Sequence, residues 1–213
     1  GDIILVLGPE PSLRWRTFSE QLMGVADHFG ASMMLTLGAL LADVPHSRPV
    51  QIIGTSTDAD LVERFSLQRS RYEGPTGIIG VLQEACESTA LPSAALWAAV
   101  PAYASQVPSP KASLSLMRRS CEIIGTPAPV ASVMNLIERY EEQVNTLVSD
   151  DEDLAAYVER LETMTDNGMS IDDEVDDGQL QFDFATDSGE DEADAATLMD
   201  EVEQFLREQG DGK

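Results

Sequence analysis

Ala94-Ala-Leu-Trp-Ala-Ala-Val100, set between Pro92 and Pro101, is the stretch on which the fold turns. Alanine favours helix in isolation, but seven apolar residues closed off by prolines suit a strand buried on both faces better than a helix. Three other apolar runs share this character: Ile3-Ile-Leu-Val-Leu7, ended by Gly8-Pro9, Met33-Met-Leu-Thr-Leu37, and Val50-Gln-Ile-Ile-Gly54. Helical patterns lie between them. Ser12 is placed to cap a helix to about Phe29, with Trp15, Phe18, Leu22, Val25, Ala26 and Phe29 on one stripe and Gly30 as its stop. Thr57-Asp-Ala-Asp60 opens a short helix to about Phe65, and the turn cluster Glu73-Gly-Pro-Thr-Gly77 feeds another to about Ser88. Helices at about 109–124, 128–148 and 150–165 follow. This alternation predicts an α/β fold: three layers, α/β/α, around a mostly parallel central sheet, followed by C-terminal helices and an acidic tail.

Charge divides the chain. The 213 residues carry a formal net charge of −25. Residues 1–148 hold 15 Asp/Glu against 10 Lys/Arg, whereas residues 149–213 hold 23 acids against only Arg160, Arg207 and Lys213. The reading is a core over 1–165, an acidic disordered linker over 166–192, and an amphipathic C-terminal helix within 193–213. That last helix, about Ala193 to Glu208, places Leu198, Val202, Phe205 and Leu206 on one side, a face suited to a partner groove. No basic surface exists to displace counterions from phosphate, which argues against nucleic acid. No run approaches a membrane span and no signal peptide is visible, so the expected location is cytoplasmic. The chain begins at Gly1 without an initiator Met and enters an apolar run at once, the mark of a fragment or processed chain.

Two loops invite a functional reading. Leu41-Ala-Asp-Val-Pro-His-Ser-Arg-Pro-Val50 holds one of only two histidines, and its prolines restrict Val44 and Arg48. His46 as a titratable group and Arg48 as a forked donor suit an anionic ligand, and equally suit a structural loop whose arginine pairs with a carboxylate. Gly8-Pro-Glu-Pro11 sits where open α/β sheets place ligands, and offers Glu10 as acid, base or acceptor. Tyr103 follows the fourth strand and belongs to the same expected rim. The bland alternatives are a stiff strand-to-helix turn at Glu10 and local backbone bonding at Tyr103. His28, at a helix end, reads as structural. Gly74-Pro-Thr-Gly77 reads as a turn and cap before it reads as an anion cradle.

Absent signatures narrow the chemistry. There is no GxSxG elbow, no HExxH and no P-loop, and Cys86 and Cys121 lack CxxC spacing, so no metal and no cofactor are expected. The run Asp172-Asp-Glu-Val-Asp-Asp177 lacks the spaced ligands and glycine of an EF-hand and reads as solvated charge.

Taken together, Leu7-Gly-Pro-Glu-Pro11, Ser12-Leu-Arg-Trp-Arg-Thr-Phe18, Val44-Pro-His-Ser-Arg-Pro49 and Val100-Pro-Ala-Tyr103 resemble the proteasome assembly chaperone 2 family in its actinobacterial branch, over residues 3 to about 165. The resemblance implies a fold akin to nucleoside phosphorylases, self-assembly into homo-oligomers such as trimers, and kinship with escorts of proteasome subunits. It also implies that an N-terminal part of the family domain precedes Gly8, so that the chain corresponds to the C-terminal two-thirds of a member. It carries over no catalytic residue. The expectation is therefore a protein-interaction or assembly-chaperone module, with the acidic tail reaching a protein partner. The alternative is a small-molecule binder or enzyme, ATP-grasp-like or hydrolase/phosphorylase-like, in which Glu10, His46, Arg48 and Tyr103 converge in a strand-end cleft.

Overall fold

In the computed structural model the described residues are 2–69, 77–128, 130 and 133–168. In chain order the elements are α1 (Trp15–His28), β1 (Met34–Ala42), β2 (Ile52–Ser56), α2 (Ala59–Phe65), β3 (Gln68–Arg69), α3 (Ile78–Ser88), β4 (Ser93–Pro101), a 3-10 turn (Ala102–Ala104), α4 (Pro110–Ile124), α5 (Met134–Ser149) and α6 (Glu152–Asp166). The four strands are ordered β1-β4-β2-β3. β4 runs parallel to β1, β2 parallel to β3, and β2 antiparallel to β4. The sheet is thus mostly parallel, with helices on both sides.

The alanine-rich run is the strand that the bounding prolines suggest, and it takes the most buried place in the sheet, with seven of its nine residues buried. Its small side chains let helices approach closely from both sides. On one face Ala94 and Leu96 pack with Leu61 and Leu67 beside α2 and with Ile123 of α4. On the other face Ala99 joins Leu40, Ala42, Val44 and Ile53, with Trp97 against them. Gly38 of β1 lies beneath Trp97, and a Cβ there would stand 2.5 Å from Trp97 Cζ3, so any side chain at this position would have to displace the indole. The same side holds Cys86 of α3, whose thiol meets Met34 Sδ at 3.5 Å and Met23 Sδ of α1 at 4.0 Å. Burial pushes the Cys86 thiol up from its ordinary range, the setting of an inert core residue.

Several expectations need correction. Ile3–Leu7 is not a strand: residues 2–10 have no regular structure, and the run is exposed, Leu5 at 83% and Leu7 at 94%. β4 takes the central place that such a run would need, and among the described residues the run has neither a ladder partner nor a covering helix. Pro9 and Pro11 on its flank further remove backbone donors. α1 begins at Trp15 rather than after a Ser12 cap. Arg14 takes the N-cap in the left-handed region, φ 59°, and the Trp15 indole N–H donates to the Pro11 carbonyl, closing that turn. The buried side of α1 is Ser19 and Met23, while Val25 and Phe29 face solvent. β1 reaches Ala42, so Leu41 and Ala42 belong to the strand, and α5 starts at Met134, six residues later than its pattern suggests.

Asp58 and Asp151 cap α2 and α6 through their carboxylates, and Ser109 caps α4. Among the described residues no helix is long and apolar enough to cross a membrane. Most of the linker, the helix over 193–208 and its Leu198, Val202, Phe205 and Leu206 lie outside the described residues, as does most of the Glu73–Gly77 turn.

Candidate functional site

Sheet order builds the site. β1 and β2 are joined by residues 43–51, yet β4 lies between them. The connection therefore crosses the carboxyl end of β4, a span of about 10 Å at two strand spacings. Tyr103 stands at that end, one residue beyond Ala102, so the loop passes directly over it. Within the crossing, Val44, Pro45 and His46 are buried.

His46 is 4% exposed. Its backbone N–H donates to Tyr103 Oη at 2.8 Å, and its Nδ1 meets the same oxygen at 2.8 Å. Its Nε2 lies 2.9 Å from Asn145 Oδ1 on α5. With Oδ1 as acceptor, Nε2 carries the proton, so Nδ1 accepts from the phenol while the phenol oxygen accepts from the backbone N–H. Both ring nitrogens of His46 thereby have a partner. The His46 carbonyl accepts from Lys111 Nζ of α4 at 2.7 Å, and that ammonium pairs with Glu141 of α5 at 2.7 Å. Burial pushes the Tyr103 phenol up to about 12, so it remains a donor through the neutral range.

Arg48 points the other way, to α6. Its Nε and Nη2 donate to the two Asp166 oxygens at 2.8 and 2.7 Å, and Nη1 lies 3.4 Å from Glu162. This fork-on-carboxylate pairing raises the arginine and lowers the aspartate from their ordinary values, chiefly through the shared hydrogen bonds. Ser47 donates to the Glu162 carboxylate. Tyr157 of α6 donates to Asp43 at 2.7 Å and sets its ring edge-to-face with Tyr103 at 6.2 Å. Burial, then the Asp43 carboxylate, pushes that phenol to about 12.

Of the four residues marked by sequence, His46 and Tyr103 touch and Arg48 adjoins them on the same loop. Glu10 does not join them: it is exposed, accepts from Ile78 N–H at 3.2 Å, and so caps α3, whose own N-cap is Gly77. The crevice beside the loop is lined by residues including His46, Arg48, Gln51, Lys111, Tyr140 and Thr165, and its cavity volume is about 10 Å³. That is room for about one water, against the roughly 300 Å³ or more of a ligand pocket. Asn145, Lys111, Glu141, Tyr157, Glu162 and Asp166 are the partners that sequence reasoning missed. Each sits on the polar side of a helix, and nothing in a helical repeat says which polar residue meets a loop.

The family model of the PAC2 family matches residues 1–148. The chain is similar to the crystal structure of a PAC2 family protein from Streptomyces avermitilis, at 42% identity and a TM-score of 0.65 over 71% of this chain and 63% of that one. It is similar also to a proteasome-assembly chaperone homologue from Mycobacterium tuberculosis, at 43% identity and a TM-score of 0.62 over 70% of this chain and 63% of that one. An archaeal homolog of proteasome-assembly chaperone from Pyrococcus furiosus shares the fold at 16% identity, with a TM-score of 0.51 over 67% of this chain and 63% of that one. The chain thus spans 63% of the length of each of these structures. No curated protein matches it.

Proposed function

The chain belongs to the PAC2 family, and from that membership we propose that it is a protein-interaction module of the assembly-chaperone kind, acting in the cytoplasm as a homo-oligomer and engaging proteasome subunits. The observation that carries this reading is the state of the candidate site. His46, Arg48 and Tyr103 are engaged by the chain's own side chains, and the space beside them is about 10 Å³. Among the described residues this crevice leaves no room for a ligand, which favours contact through surface. Leu37 and Leu41, 48% and 39% exposed, share one face of the edge strand β1, the kind of apolar patch that marks an association surface. The acidic tail with Leu198, Val202, Phe205 and Leu206 is a second contact in this proposal, its charge favouring a basic target.

The test uses purified proteasome α and β subunits from an actinobacterium, mixed with the full chain or with a chain ending near residue 166. Native mass spectrometry gives the stoichiometry, and the appearance of peptidase activity gives the assembly rate. The proposal expects a complex with unassembled subunits and a changed rate, with the shorter chain binding more weakly. A monomeric chain that binds neither subunit and leaves the rate unaltered would overturn it.

A further inference from the structure

We infer that α6 is a strap fastened to the α/β body through the crossing loop, and that it opens as a unit while the sheet stays folded. The inference does not depend on the proposed function. Only Val158 and Leu161 of α6 are buried. Its side-chain hydrogen bonds to the body run to one short stretch: Tyr157 to Asp43, Ser47 to Glu162, and Arg48 to Asp166. Arg48 and Asp166 are 30% and 56% exposed in their side chains, so salt reaches the clamp. The sheet, by contrast, is held by β4, whose Ala94, Ala95, Leu96, Ala98 and Ala99 are 2% exposed or less.

A helix with few buried apolar residues and solvent-reached fastenings belongs to the low-stability end of a fold. Its turn to α5 is short, residues 150–151, and Asp151 caps it by accepting from the Asp153 and Leu154 N–H groups. It therefore swings from a defined hinge. Opening would unpair Arg48, expose the Tyr103 ring, and remove Thr165 from the wall of the crevice that Arg48 and Lys111 also line. Thr165 is the one residue of α6 in that wall, and Glu162 and Asp166 are the carboxylates that the loop would release.

Hydrogen exchange on the full chain, read by mass spectrometry at about 0.05 M and about 0.5 M salt, tests this. Amides of α6 should exchange by an opening that leaves β4 and β1 protected, and faster at the higher salt. Arg48→Ala should raise α6 exchange about three- to fivefold and abolish most of its salt dependence, with β4 unchanged. Tyr157→Phe, which loses only the Asp43 bond and keeps the ring, should give about a threefold rise. The inference is overturned if α6 and β4 exchange together, or if neither variant alters α6 relative to β4.

Discussion

Tyr103→Phe tests the centre of the crossing loop most directly. The substitution keeps the ring, and so keeps its edge-to-face contacts with His46 at 6.0 Å and Tyr157 at 6.2 Å and its packing beside Ala104, Tyr140 and Val144. It removes one oxygen, which accepts from the His46 N–H and pairs with His46 Nδ1, both at 2.8 Å. His46 is 4% exposed, so water does not replace that oxygen freely. A buried group left unpaired costs about 1–3 kcal/mol, and two such groups, less the relief of no longer burying a hydroxyl, give about 2–3 kcal/mol. For a folded body of this size, that lowers Tm by about 4–10 °C. The alkaline limb gives an independent reading. The folded phenol is held up to about 12, whereas an exposed one titrates near the ordinary value of 10.0. In the unfolded chain Tyr103 loses its proton first, so its contribution to stability is complete below pH 10 and is lost as pH rises towards 12. The gap in stability between the parent chain and the variant should therefore narrow across that window. Thermal melts followed by circular dichroism, with phenolate absorbance on the same samples, measure both effects. A Tm at neutral pH unchanged within about 1 °C, with the gap flat from pH 10 to 12, would refute the placing of His46 and Tyr103.

Other outcomes follow from burial and close approach. Leu96→Ala removes a side chain 0% exposed in the central strand and should cost about 3–5 kcal/mol in denaturant melts, whereas Leu5→Ala, at 83% exposure, should change stability by less than about 0.5 kcal/mol. Gly38→Ala puts a Cβ 2.5 Å from the Trp97 ring and should destabilise by about 1–3 kcal/mol with a shift in Trp97 fluorescence, and Trp97→Leu in the same chain should recover part of the loss. Asp166 is held below its ordinary value of 3.8 by Arg48, so the clamp is complete above that pH and fails as pH falls through the lowered value. Exchange of α6 amides relative to β4 should accordingly rise on acidification below about pH 4.

What could be read from sequence was whatever depended on pattern and length. The alanine-rich strand, the short helix after Asp58 and the helix begun by Ser109-Pro110 each carried a local signal, in bounding prolines or in a capping side chain. Ile3–Leu7 shows the limit of such reading. Five apolar residues declare a preference for burial but do not supply the neighbour that would bury them, and here they stand 47–94% exposed. Trp15 shows another limit: an indole bonded to the Pro11 carbonyl displaced the cap that Ser12 promised. The meeting of His46 and Tyr103 was half legible, since both follow strands. Their contact also needed β4 to insert between β1 and β2, and strand order is a tertiary fact that no local run encodes. The same holds for Asn145, which looks like any polar residue on the outer side of an amphipathic helix.

That strand order also explains why a loop so stiff is placed there. A connection over the end of a sheet buries backbone groups that no ladder serves, and each needs a partner. Two prolines remove two N–H donors and fix the local path, which leaves fewer groups to satisfy. The exposed-edge alternative, a longer flexible loop, would satisfy them with water but would not pack Val44 against Leu40, Ile53 and Ala99 of the core. His46 supplies the remaining need, because its backbone and ring together take both faces of the Tyr103 hydroxyl and one amide of α5. Histidine, arginine and tyrosine are residues that sequence reading associates with catalysis. Here their hydrogen-bonding capacity is consumed in joining β1, β4, α4, α5 and α6 at one point.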